Sequence, residues 1–164
     1  MKVIIPAVIP RPLAAGSFIL KIQKMVTDGL IAKYRSDHIR KEAVFVNNPN
    51  TSQTVYWPPN HEDAPALMKD LLEYLEKNSQ TSDPLVLAGI FHKQFVIIHP
   101  FIDGNGRTAR LATKILLAKM GLNTFNLFSF ENYYNQNVTK YFSEVGTIGN
   151  FYDLKDKIDF TPWP

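Results

Sequence analysis

Hydrophobic residues recur at helical spacing along most of this chain. Phe18, Ile22 and Met25 fall on one side of a helix predicted over residues 17–30, with Gly29 as a candidate stop. A second amphipathic helix follows the cap-forming residues 60–63, and a third, almost without a polar face, covers residues 84–98. The third helix begins at Asp83-Pro84 and stops near residue 99, because Pro100 disfavours helix before it. Two further helices are predicted over about 107–120 and 129–145.

Two short β-rich runs interrupt the helical pattern. Residues 44–46 and 54–57 flank a segment dense in turn formers at 47–52, and Pro58-Pro59 follows the second run. This arrangement predicts a lone β-hairpin. The whole chain, residues 1–164, is therefore predicted to be a single all-α domain with one small hairpin, and residues 1–14 to be an irregular N-terminal arm.

Composition narrows the class of protein without choosing its function. Hydrophobic residues make up 45% and charged residues 20%, as in an ordinary folded domain. The chain has no cysteine, which excludes disulfides and thiolate metal sites and favours a reducing compartment, the cytoplasm by default. A net charge of +3 is too small to predict nucleic-acid binding. The prolines at 6 and 10 argue against a signal peptide, and no apolar run approaches the ~18 residues of a membrane span.

The segment from His99 to Arg110 combines features that suit phosphate chemistry. A Gly-Asn-Gly turn at a helix start presents backbone N–H groups that the helix cannot satisfy, and the helix dipole favours an anion there. Arg107 and Arg110 are three residues apart on one helix face, so both guanidinium groups can serve one polyanion. The bland reading of each feature is a turn between helices with solvated arginines; the combination within twelve residues favours a phosphate site.

A carboxylate and an imidazole flank this turn. Asp103 is suited to Mg²⁺, which shares its ligands between protein and phosphate oxygens. A neutral His99 could take the proton from an attacking hydroxyl. On its own, this histidine would more often be a helix-end or core residue. Together the residues predict phosphoryl or nucleotidyl transfer.

The stretch resembles the Fic signature, His-x-Phe-x-(Asp/Glu)-Gly-Asn-Gly-Arg-x-x-Arg. All eight specified positions match: His99, Phe101, Asp103, Gly104, Asn105, Gly106, Arg107 and Arg110. The segment 29–35 and the hairpin closed by Pro58-Pro59 are also similar to the family, so the resemblance covers about residues 17–160. It implies a Fic-like helical bundle with a hairpin flap.

The resemblance also implies a reaction and roles for these residues. His99 would be the general base that deprotonates a Tyr, Thr or Ser hydroxyl of a target protein, which then attacks the α-phosphate of ATP. Asp103 would hold Mg²⁺, and the arginines would bind the β- and γ-phosphates. The anion hole would be Gly104, Asn105 and Gly106; the flap residues docking the target would be Thr54, Val55, Tyr56 and Trp57; and Asn137 and Tyr141 would line the adenosine.

Two departures from family patterns bear on activity and regulation. Doc-like toxins, which transfer phosphate, carry lysine where this chain has Gly106, so the glycine favours AMP transfer. Transfer of phosphate or phosphocholine, and a non-catalytic nucleotide-binding module, remain alternatives. The family's inhibitory pattern, Ser/Thr-x-x-x-Glu-(Gly/Asn), is not found: Glu131-Asn132 comes closest, but Leu127 stands where Ser or Thr belongs. Restraint is therefore expected from a separate inhibitory partner or from a segment outside this chain.

Overall fold

The computed structural model describes residues 16–48, 51–122 and 129–158, and in these ranges the protein is mostly helical, as predicted. The predicted N-terminal arm lies outside the described residues. The helices are α1 (Gly16–Thr27), α2 (Ala64–Asn78), α3 (Pro84–Ile98), α4 (Asn105–Lys119), α5 (Phe130–Gln136), α6 (Val138–Val145) and α7 (Phe151–Leu154). The strands are β1 (Val46–Asn47), β2 (Thr54–Trp57) and β3 (Gly149–Asn150), and a 3-10 turn covers Lys33–Arg35.

Helix α3 is the centre of the bundle. Its carboxylate cap is formed as the sequence predicts, since Asp83 accepts hydrogen bonds from the amides of Leu85 and Val86. The helix packs against α2 and α4, and α1 packs against α4. Large apolar side chains of α3, including Phe91 and Phe95, are fully buried in the main core. Across residues 16–48, 51–122 and 129–158, no helix has the length and apolar character needed to span a bilayer.

The predicted lone hairpin is part of a three-stranded sheet. Strands β1 and β2 pair antiparallel, as expected, but β3 adds to the other side of β2 in parallel, with Tyr56 opposite Gly149 and Trp57 opposite Asn150. No sequence pattern predicts β3, because Gly149 and Asn150 carry neither β-branched nor aromatic side chains. The third strand gives the hairpin the additional packing that an isolated pair of strands lacks.

The single helix predicted over 129–145 is two helices. Asn137 separates α5 from α6 with φ −122° and ψ 37°, outside the helical region. Aromatic and apolar residues keep helical spacing across the break, which is why the sequence pattern did not reveal it. The break sets the direction of α6, whose buried residues Tyr141 and Val145 then face α3.

Candidate active site

The motif residues meet where α3 ends and α4 begins. His99 is the C-cap of α3 and has left-handed backbone angles, φ 51° and ψ 57°. This conformation is uncommon for a residue other than glycine or asparagine and costs on the order of 1 kcal/mol or more. The left-handed conformation of His99 turns the chain sharply at the end of α3, so that α4 begins only a few residues later. It places His99 and the start of α4 at the same junction.

The ring of His99 is oriented by its own helix. Its Nδ1 lies 3.0 Å from the carbonyl oxygen of Val96. Because a carbonyl only accepts, Nδ1 carries the proton in the neutral ring, and Nε2 keeps its lone pair. Burial lowers the pKa of His99 below its ordinary value of 6.5, and the cationic Arg40 acts in the same direction. His99 is therefore a neutral imidazole at neutral pH.

A buried arginine holds the backbone of His99 in its strained conformation. Arg40 is 2% exposed, and its Nε donates to the carbonyl of His99 at 2.8 Å. Its Nη atoms donate to the carbonyls of Glu42 and Pro59, while its backbone N–H bonds the carbonyl of Pro100. One guanidinium thus joins the His99 junction to the segments before and after the β1–β2 hairpin. Sequence reasoning did not single out Arg40, because nothing in the pattern distinguishes it from a solvated arginine.

The Gly-Asn-Gly turn forms the first turn of α4, two residues earlier than predicted. The first described main-chain bond of this helix runs from the amide of Thr108 to the carbonyl of Gly104, at 2.8 Å. The amides before it precede the first i to i−4 bond and are the ones a bound anion can use. The side chain of Asn105 is buried and folds back onto both backbone groups of Phe101. Asn105 can therefore offer an anion only its main-chain N–H.

Asp103 and Arg107 form an ion pair beside the turn. The Asp103 Oδ2 and Arg107 Nη2 atoms are 2.9 Å apart, and Oδ1 accepts from the amide of Gly104. Arg107 Nη1 also donates to the carbonyl of Val26 at the end of α1. Gln23, a buried α1 residue that sequence reasoning missed, donates to the carbonyl of Asp103. Asp103 is still about half exposed, so its carboxylate is accessible to a ligand from solution.

Both motif arginines lie beside the glycines of the turn. Arg107 Nη2 is 3.9 Å from where a Cβ on Gly104 would be, and Arg110 Nη1 is 3.4 Å from the same point on Gly106. The guanidinium of Arg110 also lies over the ring of Tyr141, 5.9 Å from its centroid. The two cations therefore flank the first turn of α4 and, with the helix dipole, favour an anion at this helix start.

The two residues predicted to line the adenosine have different surroundings. Tyr141 is buried, and its hydroxyl faces His92 at 3.0 Å. Asn137 lies between α5 and α6 and donates to the carbonyl of Tyr133. Their adenosine contacts stay a prediction. Leu127 of the incomplete inhibitory pattern lies outside the described residues.

The four predicted docking residues of the flap do not share one free edge. Tyr56 is a core residue, 3% exposed, and its hydroxyl donates to the carbonyl of Ile97 at 2.9 Å. Tyr56 and Trp57 are also the β2 residues paired with β3, so an added strand cannot pair with that side of β2 there. The expectation of a β2 edge open along all four residues is corrected to Thr54 and Val55.

Comparison with known proteins places this geometry in a family. The family model described as "Fic/DOC family" matches residues 16–117, more than half of the chain. The chain belongs to the Fic/DOC family. Protein adenylyltransferase fic-1 of Caenorhabditis elegans is 37% identical over 67 residues, and Protein adenylyltransferase Fic of Drosophila yakuba is 34% identical over 104 residues. These matches cover 40% and 63% of this Fic chain but only 13% and 19% of the relatives.

Solved structures show the same fold. A Fic family protein from Desulfovibrio desulfuricans has a TM-score of 0.68 and 25% identity, covering 92% of this chain and 42% of that one. A Fic domain containing signaling protein from Bacteroides thetaiotaomicron has a TM-score of 0.54 and 29% identity, covering 66% and 40%. The predicted Fic-like helical fold is thus confirmed.

Proposed function

We propose that this Fic domain is a protein adenylyltransferase, which transfers AMP from ATP to a hydroxyl group on another protein. The observation that carries the proposal is the state of His99. Its Nδ1 is committed to the carbonyl of Val96, its Nε2 keeps a lone pair, and its lowered pKa keeps that lone pair unprotonated at neutral pH. A base of this kind beside an anion-binding helix start suits attack of a hydroxyl on a phosphate.

The polyphosphate of ATP would occupy the start of α4. The main-chain amides of the first turn would donate to phosphate oxygens, and Arg107 and Arg110 would bind the charge on the leaving pyrophosphate. The guanidinium of Arg107 would donate to the phosphates in addition to its present acceptors, Asp103 and Val26, or in place of one of them. Arg110, which lies over the ring of Tyr141 and beside Gly106, would bind phosphate oxygens at the same turn.

Asp103 is the residue that would hold Mg²⁺. The described residues contain no cluster of three or more His, Cys, Asp or Glu side chains that could bind a metal. One accessible carboxylate suits Mg²⁺ that takes its remaining ligands from water and nucleotide phosphates. When bound, the ion would neutralise part of the phosphate charge.

The protein's part in the reaction is a proton transfer and the stabilisation of charge. Nε2 of His99 would take the proton of the target hydroxyl as its oxygen forms a bond to the α-phosphorus. The bond from that phosphorus to the bridging oxygen of pyrophosphate would break, and the arginines would stabilise the leaving charge. AMP remains on the target, and the proton on His99 passes to solvent or to the leaving group.

Gly106 supports transfer of AMP over transfer of phosphate. A Cβ at this position would stand 3.4 Å from Arg110 Nη1, in van der Waals contact, so a long side chain such as lysine would compete with the guanidinium for this space. The relatives named protein adenylyltransferase agree with this choice.

The target would add a strand to the small sheet. The order β1-β2-β3 makes β1 an edge strand, and Thr54 and Val55 extend β2 beyond its pairing with β3. Backbone hydrogen bonds to such an edge position an extended peptide with little demand on its sequence. This mode would bring a target hydroxyl towards His99 through the Arg40 connection between the hairpin and the α3–α4 junction.

Intact mass spectrometry tests the proposal. Candidate target proteins incubated with the chain, ATP and Mg²⁺ are expected to gain the mass of an AMP group. The matched control is His99→Asn, because asparagine tolerates left-handed backbone angles but cannot serve as the base. A phosphate or phosphocholine adduct would contradict AMP transfer, and an undiminished AMP adduct with His99→Asn would contradict the role of His99.

A further inference from the structure

A buried hydrogen-bonded chain of side chains links α3, α4 and α6 behind the phosphate-binding turn. His92 on α3 is fully buried, and its two ring nitrogens each lie 3.0 Å from a hydroxyl: Nδ1 from Thr113 Oγ1 and Nε2 from Tyr141 Oη. Thr113 in turn donates to the carbonyl of Ala109 at 2.7 Å. The guanidinium of Arg110 lies over the ring of Tyr141, 5.9 Å from its centroid.

The direction of every bond in this chain follows from its two ends. The Thr113 hydroxyl gives its proton to the carbonyl of Ala109, so towards His92 it accepts, and Nδ1 of the imidazole is the donor. Burial lowers the pKa of His92 to about 3, which keeps the ring neutral and leaves Nε2 as an acceptor. Tyr141 therefore donates its proton to His92, which anchors the ring that lies beneath Arg110.

This arrangement restricts the side chain of Arg110. The guanidinium has the Tyr141 ring beneath it, and Nη1 lies beside Gly106. A long arginine side chain held at one end loses less freedom when it binds an anion than one that moves in solvent. Tyr141 itself is held by His92 and by the ring of Tyr134, whose centroid is 4.5 Å away.

We propose that Thr113, His92 and Tyr141 form a positioning network that holds Arg110 ready for the terminal phosphates of a nucleoside triphosphate. The inference rests on the proposed function for the identity of the ligand. It assigns these three residues a role towards the nucleotide through Arg110. Tyr141 lies outside residues 16–117, which the family model matches. A part of the chain beyond that match therefore helps to position the motif residue Arg110.

Nucleotide binding by Tyr141→Phe tests the network. This change removes the hydroxyl, and with it the bond to His92, but keeps the ring beneath Arg110. The dissociation constant of Mg²⁺-ATP is expected to rise by about fivefold, the effect of losing the one hydrogen bond that anchors this ring, whereas that of AMP, which lacks the terminal phosphates, stays about the same. In turnover assays the KM for ATP should rise while kcat is largely kept.

Two further sets of variants separate positioning from support of the fold. In an Arg110→Ala background, adding Tyr141→Phe should cause no further loss of ATP affinity, because the network acts through that arginine. Thr113→Ser keeps the acceptor for His92 and should bind ATP normally, whereas Thr113→Val should weaken ATP binding. Tyr74→Phe, which removes an exposed hydroxyl on α2, is the matched control. The thermal midpoint of each variant shows whether it is folded. If Tyr141→Phe is unfolded, the ATP affinity of Thr113→Val tests the network instead.

The possible outcomes are distinct. The inference is overturned if Tyr141→Phe binds ATP as the wild type does, if it loses ATP and AMP affinity equally, if its effect adds to that of Arg110→Ala, or if the wild type binds no ATP. If the variants show the expected ATP-specific losses of affinity but the wild-type chain transfers no AMP, the network is supported and the proposed function is contradicted. The reverse combination, AMP transfer with an unaffected Tyr141→Phe, contradicts the network alone.

Discussion

At the scale of single residues, the proposed chemistry depends on a histidine that is neutral and correctly oriented. The carbonyl of Val96 selects the tautomer of His99, and burial lowers its pKa. The Arg40 bond to its carbonyl secures the left-handed backbone at the same residue. The tautomer and the backbone conformation of His99 are thus each set by a named contact, and its neutral charge by burial.

The pH dependence of AMP transfer follows from the lowered pKa of His99. The reaction needs the neutral ring, so kcat/KM is expected to be constant from about pH 8 down to the unperturbed histidine pKa of about 6.5 and to fall only at lower pH. A pH profile of kcat/KM measures this. An acidic limb with its midpoint at or above the ordinary histidine value would contradict the account, as would the same limb in the residual activity of His99→Asn.

The sequence revealed the motif residues but not all of their contacts. The signature identified His99, Asp103 and the arginines because the combination of residue types is specific. It did not reveal that the Asn105 side chain bonds Phe101, since a buried asparagine and a ligand-facing asparagine have the same sequence. His92 offered one signal, a polar residue in the apolar run of α3, but its partners come from α4 and α6.

At the scale of elements, the site depends on close packing between α1 and the start of α4. Gly104 has φ +81°, and a Cβ there would stand 2.6 Å from Thr27 Cγ2 on α1. Any side chain at 104 would push α1 away from the turn that presents the amides. Arg107 strengthens the same contact through the carbonyl of Val26.

Substitution of two glycines by alanine isolates this packing. Gly104→Ala and Gly29→Ala both place alanine at positive φ, but a Cβ on Gly29 meets nothing within 4 Å. Both variants should lose the backbone preference of glycine, and Gly104→Ala should lose about 1–3 kcal/mol more in the free energy of unfolding because of the clash. Urea denaturation measures the difference. Equal losses in the two variants would show that α1 does not restrict the turn.

Helix boundaries were predicted well where capping residues mark them in the sequence. Asp83-Pro84 predicted the start of α3, and the cap is formed. Strand β3 was missed because its pairing with Tyr56 and Trp57 depends on the return of the chain after α6, which no local pattern encodes. The break at Asn137 was missed because the aromatic periodicity continues through it.

At the scale of the whole molecule, a buried neutral histidine links stability to pH. The pKa of His92 falls to about 3 in the folded state, mainly through burial and in part through the charge of Arg110. In the unfolded chain the ring takes up a proton below about 6.5. The unfolded state therefore binds the extra proton between these two values, so the stabilisation is fully present above the higher value and is lost as pH falls.

The free energy of unfolding is accordingly expected to decrease by about 1.4 kcal/mol per pH unit through His92 as pH falls below about 6. Urea denaturation at a series of pH values measures how the free energy of unfolding changes with pH. His92→Gln should reduce this slope by about 1.4 kcal/mol per pH unit, the contribution of one proton. His99 titrates in the same direction, so part of the slope will remain in that variant. A slope that is the same with and without His92 would contradict the buried neutral state.

The fold and the family of the whole chain followed from one twelve-residue segment and the helical periodicity around it, and the family model confirms the family. The relatives are much longer, since the matched residues cover 13% and 19% of the two adenylyltransferases compared. Target and regulation depend on surfaces whose partners the sequence does not specify. The chemistry, in contrast, can be tested with this chain.

Paired labelling of ATP tests the central claim most directly. The chain is incubated with Mg²⁺ and a cell extract as the source of target, with ATP labelled in parallel at the α- or the γ-phosphate. Protein labelling above that of the extract alone is expected from the α-labelled nucleotide only, and this increase should be lost in His99→Asn. An increase in labelling from the γ-phosphate on addition of the chain, or an undiminished increase in α-labelling with His99→Asn, would contradict AMP transfer by His99.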